Sequence, residues 1–491
     1  MNTYLSKSLY IKGLQCHKAL WLQKYKPELK DEVPESLQAV FDSGTNVGIL
    51  AQELFPGGLL VPYEGLTHQE QIEATRKAIN DGMETIYEAA FSHNDIFIKA
   101  DIIHKGTAGW ELYEVKSSTG LKDVYIEDIA VQYFVIAGSG LSLSKAFLVH
   151  INNQYVRHGA IDVQQLFTIL DVTKEVISLQ EHVRDAVAGM KDMLKKEIPA
   201  IDIGPHCKNP YECDFKGYCW EHIPSPSVFD FKGMGKPNGF SLYQQEIVRM
   251  EDVPVDDLGW RQKLQLEGYM HHKNHCDVAA VKDFLDSLWY PLCFMDFETY
   301  FQEPVPLYDG TRPFQQVPFQ FSLHILPERN GELQHVEYLA DGAVNPQAEF
   351  LERLLASVPQ NACILVWNQT FEISRLKELA AAFPEKAAAI EVLIANIRDL
   401  MIPFRNKSIY HWQFEGSYSI KYVLPAFAPE LSYDNLEISE GETAASEWLR
   451  MTRTNDEAEK SLIRQNLLEY CKMDTYAEVR ILEEMRKITE K

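Results

Sequence analysis

Three polar residues interrupt two short apolar runs in the first quarter of the chain. Asp101 lies in IFIKADIIH, and Glu114 and Lys116 lie in WELYEVKSS. The Gly-containing segment KGTAG separates the runs, so we expect them to form a β-hairpin. Positions two apart on a strand face the same side, so Glu114 and Lys116 project together. Asp101 can meet them from the neighbouring strand.

These residue types fit the hydrolysis of a phosphodiester with a divalent cation. Such an ion holds a non-bridging oxygen and activates water, and Mg²⁺ and Mn²⁺ prefer oxygen ligands. We expect Asp101 and Glu114 to bind the metal and Lys116 to orient the water. Gln132 lies in YIEDIAVQYFVIAG, a predicted helix, and could face the same site. The alternative is an ordinary exposed strand, because such surfaces often carry charges.

The cysteines suggest a second metal group. Cys207, Cys213 and Cys219 follow the spacing C-x5-C-x5-C in a segment with Pro and Gly, which predicts a tight loop. Three cysteines in such a loop usually hold a metal, and Cys16 is the candidate fourth ligand. Structural zinc sites more often use paired C-x2-C knuckles, and an iron–sulfur cluster accepts a remote ligand. Both groups remain open on the residues alone. Small core residues are the expectation for the other four: Cys276, Cys293, Cys363 and Cys471.

These segments resemble the RecB-like PD-(D/E)XK nucleases with a four-cysteine iron–sulfur cluster, which include CRISPR-associated nucleases and the AddB helicase–nuclease subunit. The matching stretches, within about the first 225 residues, are LSKSLYIKGLQCHKALWL, GTNVGILAQELF, ADIIH, EVKSS, the helix with Gln132, and CKNPYECDFKGYC. The resemblance implies a restriction-endonuclease-like fold, catalysis of DNA hydrolysis with Mg²⁺ or Mn²⁺, and a [4Fe–4S] cluster in preference to zinc. Two departures stand out. Gln52 and Glu53 replace a frequent metal-binding His, and Ile136 replaces a frequent Tyr.

A second group of carboxylates lies in the C-terminal half. Asp296 and Glu298 are two apart in the apolar strand PLCFMDFETY, and Glu372 follows the strand ACILVW. Tyr470 and Asp474 are four apart in a predicted terminal helix, so they share a face. Four such carboxylates could hold two metals that stabilise the attacking and leaving oxygens. Tyr470 would then form a hydrogen bond with the attacking water.

This half resembles the DEDD exonucleases of the ribonuclease-H-like fold, the DnaQ and RNase D group, in its tyrosine-containing version. Glu372 stands where that family has Asp. Asp399 and Lys421 lie in segments that resemble those lining the product nucleotide. Roughly residues 290–490 also resemble an uncharacterised bacterial domain family found behind RecB-like nucleases. A retained fold with lost or weak catalysis is the alternative.

The expected fold class is α/β: an N-terminal restriction-endonuclease-like domain (1–225), a helical connector (226–288) and a C-terminal ribonuclease-H-like domain (289–491). A length of 491 residues requires more than one domain. Within the first domain we expect a helical insertion near 67–91 and a long amphipathic helix at roughly 163–197. The segment HIPSPSVFDFKGMGKPNGF reads as a linker.

The net charge of −24 and the pI near 5.1 should repel nucleic acid overall. Basic groups must then be concentrated locally, and we expect nucleic-acid contacts from Lys7, Lys12 and Lys18, which interleave with aromatics, and from Lys421. The alternative for these lysines is a solvated helix face.

The expected function is a metal-dependent DNA nuclease in DNA repair or anti-phage defence, acting on single strands or DNA ends. The alternatives are an RNA-processing exonuclease and a non-catalytic nucleic-acid-binding or redox module. The sequence has no Walker-type loop, so a helicase or other protein partner would supply any motor. It also has no signal pattern and no apolar run of bilayer length, so we expect a cytoplasmic protein without a membrane partner.

Overall fold

The chain forms two compact units that both combine helices with a mixed sheet, which confirms the mixed α/β class. The computed structural model describes residues 3–32, 44–232, 238–301, 303–433 and 436–490. One unit comprises Met1–His222 with Glu303–Phe314, and the other comprises Ile223–Gln302 with Gln315–Lys491. The expected connector therefore groups with the second unit, and the linker positions 233–237 lie outside the described residues. None of the described helices is long and apolar enough to cross a membrane.

The first unit is built around one sheet. Its elements are β1 (Leu5–Ser6), α1 (Lys7–Gln15), α2 (His17–Tyr25), α3 (44–51), β2 (Leu59–Leu60), α4 (His68–Asn80), β3 (Thr85–His93), β4 (Ile96–Gly106), β5 (Gly109–Lys116), α5 (Asp123–Gly138), β6 (Leu143–Ile151), α6 (Val163–Leu166), β7 (Phe167–Asp171), α7 (Thr173–Ser178), α8 (Gln180–Leu194) and α9 (Lys216–Cys219). The sheet order is β2-β3-β4-β5-β6-β7, with β1 beside β4. Strands β3, β4 and β5 are antiparallel, whereas β6 runs parallel to β5.

The first site is positioned by two elements that the sequence predicted, the β4–β5 hairpin and helix α5. Strands β4 and β5 pair antiparallel across the predicted turn. A parallel neighbour requires a crossover, which α5 supplies between β5 and β6. Helix α5 packs between the sheet and helices α7 and α8, and for this reason its sequence is apolar on most sides. Ile129 and Val135 lie in this core.

Two helix predictions in this unit are partly wrong. The segment expected to be helical near 67–91 is helix only to Asn80 and continues as β3. The segment expected as one helix at roughly 163–197 contains β7, which pairs antiparallel with β6. In both places the chain gains hydrogen bonds to a neighbouring strand that is distant in sequence, and such pairing outweighs local propensity.

The second unit contains a five-stranded sheet and a small two-stranded one. Its elements are α10 (Gly239–Tyr243), α11 (Trp260–His271), β8 (His275–Cys276), α12 (Val278–Asp286), β9 (Leu292–Phe301), β10 (Gln316–Leu326), β11 (Gln334–Leu339), α13 (Gln347–Ser357), β12 (Cys363–Val366), α14 (Gln369–Ala382), α15 (Ala387–Asn396), β13 (Ile397–Asp399), α16 (Ile402–Arg405), β14 (Ile409–Tyr410), α17 (Ile420–Phe427), α18 (Gly441–Arg453) and α19 (Glu457–Thr489). The larger sheet has the order β11-β10-β9-β12-β13. Its first three strands are antiparallel, and β9, β12 and β13 are parallel.

The two faces of β9 serve different purposes. Met295 and Phe297 point into the apolar core with residues of α13 and α14. Asp296 and Glu298 point to the other face, where α19 crosses the sheet. The Gln320 side chain donates to the backbone carbonyl of Leu467 at 2.7 Å and so fastens α19 to β10. The expected strand, strand-to-helix junction and terminal helix are confirmed.

Candidate metal centres

Glu114 is the centre of a buried charged network in the first unit. Its side chain is 1% exposed. Lys7 Nζ and Lys116 Nζ donate to Oε1 at 2.8 and 2.7 Å. Gln132 Nε2 donates to Oε2 at 2.7 Å. Donors from α1, β5 and α5 therefore hold this carboxylate in one orientation, and the expected position of Gln132 is observed.

Asp101 meets this network from β4, as the hairpin predicted. Its Oδ2 accepts the backbone N–H of Val115 at 2.7 Å. Burial, together with the nearby Glu114 carboxylate, raises the pKa of Asp101 to about 7 against the opposing effect of the two lysines. Burial also opposes ionisation of Glu114, but Lys116 and Lys7 outweigh it and hold its pKa well below the usual range. Glu114 is thus a fixed anion, and Asp101 ionises near neutral pH.

Asp128 on α5 completes the network and was missed in the sequence. Its Oδ2 lies 2.5 Å from Lys116 Nζ and 3.7 Å from Lys7 Nζ. Its Oδ1 is buried and has no hydrogen-bond partner among the described residues. Asp128 precedes Gln132 by four positions, so the helical spacing places both on one face. That spacing is the sequence signal that could have revealed Asp128.

The lysines expected to contact nucleic acid lie in different environments. Lys7 belongs to the Glu114 network. Lys12 forms a short ion pair with Asp214, and Lys18 Nζ donates to the carbonyl of Ile201 at 3.2 Å. All three are therefore engaged with protein groups, and their contact with nucleic acid stays a prediction.

The structure shows the surroundings of Ile136 and Gln52, the two positions at which the sequence departs from the nuclease pattern. Ile136 is fully buried in the apolar core of the first unit, so this position offers no substrate contact. Gln52 lies in a 3₁₀ turn, Gln52–Leu54, whose first carbonyl accepts the Tyr87 hydroxyl at 3.2 Å.

The four clustered cysteines line one small cavity in the first unit: Cys16, Cys207, Cys213 and Cys219. Cys16 separates α1 from α2, and the Cys213 N–H donates to the Cys207 carbonyl at 2.9 Å. The loop prediction holds for Cys213, whereas Cys207 and Cys219 end short helical turns. These turns close because the Cys207 and Cys219 N–H groups bond carbonyls three and four residues earlier. None of the four forms a disulfide, and burial raises the pKa of the Cys213 thiol to about 11.

The spread of these sulfurs is wider than a single zinc ion requires. Four tetrahedral thiolates at a Zn–S distance of about 2.3 Å would lie about 3.8 Å apart. Within the described parts of the chain, the set of three ligand atoms that comes within 4.8 Å is a different one, in the second unit. The choice between zinc and an iron–sulfur cluster at these cysteines stays a prediction.

That closer set is formed by Asp296, Glu298 and Cys471. One carboxylate oxygen from each acid and the Cys471 sulfur all lie within 4.8 Å of one another. Cys471 Sγ is 3.6 Å from Asp296 Oδ2. The sequence indicated an ordinary core cysteine. Cys471 is indeed fully buried, but its thiol touches a carboxylate.

Asp474 joins this site from α19, one turn after Tyr470. Its Oδ1 accepts a hydrogen bond from the hydroxyl of Tyr433 at 2.6 Å. The sequence motifs did not indicate Tyr433. Burial together with Asp296 raises the pKa of Asp474 to about 8, and burial raises the pKa of Asp296 to about 6. Burial and then the neighbouring carboxylates Asp296 and Asp474 raise the pKa of Glu298. Such crowding is relieved when a cation binds.

Three further buried acids surround these residues: Glu372, Asp399 and Glu478. Each has one buried oxygen without a hydrogen-bond partner among the described residues. Burial raises the pKa of Glu372 and of Glu478, and Asp296 adds to both shifts. Asp399 Oδ1 accepts the Asn368 N–H at 3.2 Å. Glu478 follows Asp474 by four residues, a spacing that could have revealed it.

Lys421 is a cation whose charge acts on the second site. It lies on α17, half-exposed, with Nζ 3.7 Å from Glu440 Oε1. Its charge partly offsets the upward pKa shifts of Glu298 and Asp474. The expected contact of Lys421 with nucleic acid stays a prediction.

Comparison with known proteins gives one partial match. The profile of a family described as "Domain of unknown function (DUF2779)" matches residues 293–419. This segment carries Asp296, Glu298, Glu372 and Asp399, but not Asp474. No curated protein matches the chain.

Proposed function

We propose that this protein is a metal-dependent nuclease that hydrolyses DNA at a centre formed by β4, β5 and α5. The carrying observation is the convergence of Asp101, Glu114, Lys116 and Gln132 from three elements on one buried point. A second, exonuclease centre of the DEDD type is proposed on β9 and α19.

The strand arrangements support both assignments. In the first unit, three antiparallel strands are followed by a crossover helix and a parallel strand. This mixed sheet is compatible with the restriction-endonuclease-like fold that the resemblance implies. In the second unit, the order β11-β10-β9-β12-β13 with two parallel strands on one side is compatible with the implied ribonuclease-H-like fold.

At the first centre, each side chain has a distinct task. Asp101 and Glu114 would hold Mg²⁺ or Mn²⁺, which supplies Lewis acidity and a bound nucleophilic water. Gln132 fixes the second oxygen of Glu114, so that Oε1 remains directed to the lysines. Lys116 would orient the water and stabilise charge that develops on the scissile phosphate.

The four cysteines would hold a [4Fe–4S] cluster in a structural role. The shared cavity and the absence of disulfides among these cysteines support this proposal. Raised thiol pKa values mean that ionisation of the cysteines is coupled to metal binding. The cluster would join the α1–α2 junction to the segment 205–219 and so constrain the helix that carries Lys7.

At the second centre, Asp296, Glu298 and Asp474 would bind the catalytic cation. The hydroxyls of Tyr433 and Tyr470 lie beside Asp474 and can orient a water by hydrogen bonding. Raised tyrosine pKa values keep both hydroxyls protonated, since burial and Asp474 disfavour the phenolate.

The test is degradation of end-labelled single-stranded DNA by protein purified without oxygen, with Mg²⁺ and with Mn²⁺. Wild type is compared with Lys116→Ala and Asp296→Ala, and the exposed Lys174→Ala and Glu352→Ala serve as matched controls. We expect cleavage by wild type and by both controls, and loss of one or both activities in the site variants. A matched RNA oligonucleotide separates DNA from RNA specificity. Wild-type protein that retains the cluster absorbance but cleaves neither substrate would overturn the proposal in favour of a binding module.

A further inference from the structure

Cys471 introduces a soft ligand into an otherwise oxygen-rich site. Its sulfur lies 3.6 Å from Asp296 Oδ2 and within 4.8 Å of a Glu298 oxygen. Asp296 and Glu298 come from β9, and Cys471 comes from α19, which is fastened to the neighbouring strand β10. The three ligands are therefore held by regular elements.

The Cys471 thiol donates a hydrogen bond to Asp296 at a sulfur–oxygen distance that also suits a zinc ion. A tetrahedral zinc ion with Zn–S of about 2.3 Å and Zn–O of about 2.1 Å separates sulfur from oxygen by about 3.6 Å. This matches the distance between Cys471 and Asp296. Mg²⁺ instead takes octahedral oxygen ligands, and at about 2.1 Å its adjacent ligands lie about 3.0 Å apart. Thiolate ligands favour the softer ions such as Zn²⁺.

A second observation points to a bound cation independently of the thiol. Glu372 and Glu478 are 2% and 1% exposed, and each has an oxygen without a hydrogen-bond partner among the described residues. The electrostatic influence of Asp296 reaches both. Buried carboxyl oxygens without partners are costly, and a nearby positive ion would compensate for them.

We propose that Asp296, Glu298 and Cys471 form a site for one thiophilic divalent cation, Zn²⁺, with a fourth position open to water. Binding exchanges the S–H bond of Cys471 for a zinc–sulfur bond, and the proton passes to solvent. Three protein ligands plus an open position is the arrangement of catalytic zinc. The inference deepens the proposed second centre, with Cys471 in place of Asp474 as the third ligand of its cation, and rests on that proposal for the role of the ion. Zinc binding itself needs no substrate.

The test measures Zn²⁺ affinity by competition with a chromophoric chelator, and Co²⁺ binding by its thiolate charge-transfer absorption. Wild type is compared with Cys471→Ala and Cys471→Ser. Cys293→Ala is the matched control, because Cys293 is equally buried on β9 but faces the apolar core. The four cysteines of the first unit contribute equally in every variant, so the difference isolates Cys471.

We expect the second-unit zinc to bind roughly 100-fold or more weakly in both Cys471 variants, since losing even an outer-shell partner costs 10- to 100-fold. The Cys293→Ala protein should bind like wild type. Near-ultraviolet circular dichroism checks folding. If both Cys471 variants are unfolded, Asp296→Asn decides, because it retains the thiol and must still lose the zinc.

Unchanged zinc affinity and an unchanged Co²⁺ spectrum in folded Cys471→Ala would overturn the inference. Cleavage with Mg²⁺ is measured on the same samples, so the two proposals fail separately. Zinc lost with Cys471 in a protein that never cleaves DNA refutes the nuclease but not the zinc site. If cleavage depends on Asp296 but zinc affinity is unchanged by the loss of Cys471, only the zinc site is refuted.

Discussion

Replacing Glu114 with Gln should destabilise the first unit, even without metal or substrate. Glu114 Oε1 accepts from two lysines at 2.8 and 2.7 Å in a site where its own side chain is 1% exposed. The substitution keeps the shape and one acceptor oxygen but removes the charge. Asp128 and the partly ionised Asp101 are then left to compensate both ammonium groups. Breaking a buried ion pair by removing one partner costs about 3–5 kcal/mol.

A surface ion pair provides the matched control for this substitution. Lys195 and Asp192 form a pair at 3.0 Å, with side chains 59% and 69% exposed. Exposed pairs contribute about 0–1 kcal/mol, so Asp192→Asn should change the unfolding free energy by no more than this. Both changes remove one carboxylate charge from the first unit. Only the environment of that charge differs.

The assay should report on the first unit alone. Urea unfolding is therefore monitored by the hydrogen exchange of peptides from β5 and α5. A single spectroscopic transition would combine the unfolding of both units. The measurement is made with chelator present, so that metal binding does not contribute. A Glu114→Gln cost no larger than that of Asp192→Asn would refute the reasoning, because it would mean that the lysines find water or other partners when Glu114 is neutral.

Three further outcomes are expected. Gln132→Leu should lower Mg²⁺-dependent cleavage by about 10- to 100-fold, the range for losing an outer-shell partner, while a DNA-binding assay shows little change. Cys213→Ser should abolish the visible absorbance of the cluster in anaerobically purified protein and increase proteolysis of segment 205–219, whereas Cys363→Ser should leave the absorbance intact. Burial, with His335 and Lys472 adding to it, lowers the pKa of His324 to about 3. Below pH 6.5 the His324 imidazole therefore becomes protonated in the unfolded state but stays neutral in the folded state. The contribution of His324 to the stability of the second unit should be complete above pH 6.5 and fall towards pH 3, by about 2 kcal/mol at pH 5. The buried acids of this unit have raised pKa values and act in the opposite direction. The difference between wild type and His324→Gln in urea titrations should therefore isolate the histidine.

Elements with a strong local period were predictable from the sequence. The hairpin of β4 and β5, the crossover helix α5, strand β9 and helix α19 all occur where their apolar patterns indicated. The partners within each site followed from the same periods, since a spacing of two on a strand or four on a helix fixes which side chains share a face. Asp101, Glu114 and Gln132 were placed together in this way.

Features that depend on distant pairing were not predictable. Strand β7 exists because β6 offers it an edge, and nothing within its own five residues excludes a helix. Lys7 looked like one of several surface lysines, and its contact with Glu114 joins residues 107 positions apart. Cys471 looked like core filling because burial and ligation favour the same small, apolar residue. Only the crossing of α19 over β9 brings its thiol next to the Asp296 carboxylate.

The two centres resolve the burial of carboxylates in opposite ways. In the first, Lys7 and Lys116 supply counter-charge to Glu114 and Asp128 and lower the pKa of Glu114, although burial still raises the pKa values of Asp101 and Asp128. In the second, Asp296, Glu298, Asp474, Glu372 and Glu478 all have raised pKa values, and the half-exposed Lys421 offsets only a part. A site with its own cations can be assembled before metal arrives, whereas a site of mutually repelling acids must stay partly protonated until a cation binds. The affinity of the second centre for its ion should therefore depend more steeply on pH than that of the first, because each bound cation displaces protons from carboxyls that otherwise retain them near neutral pH.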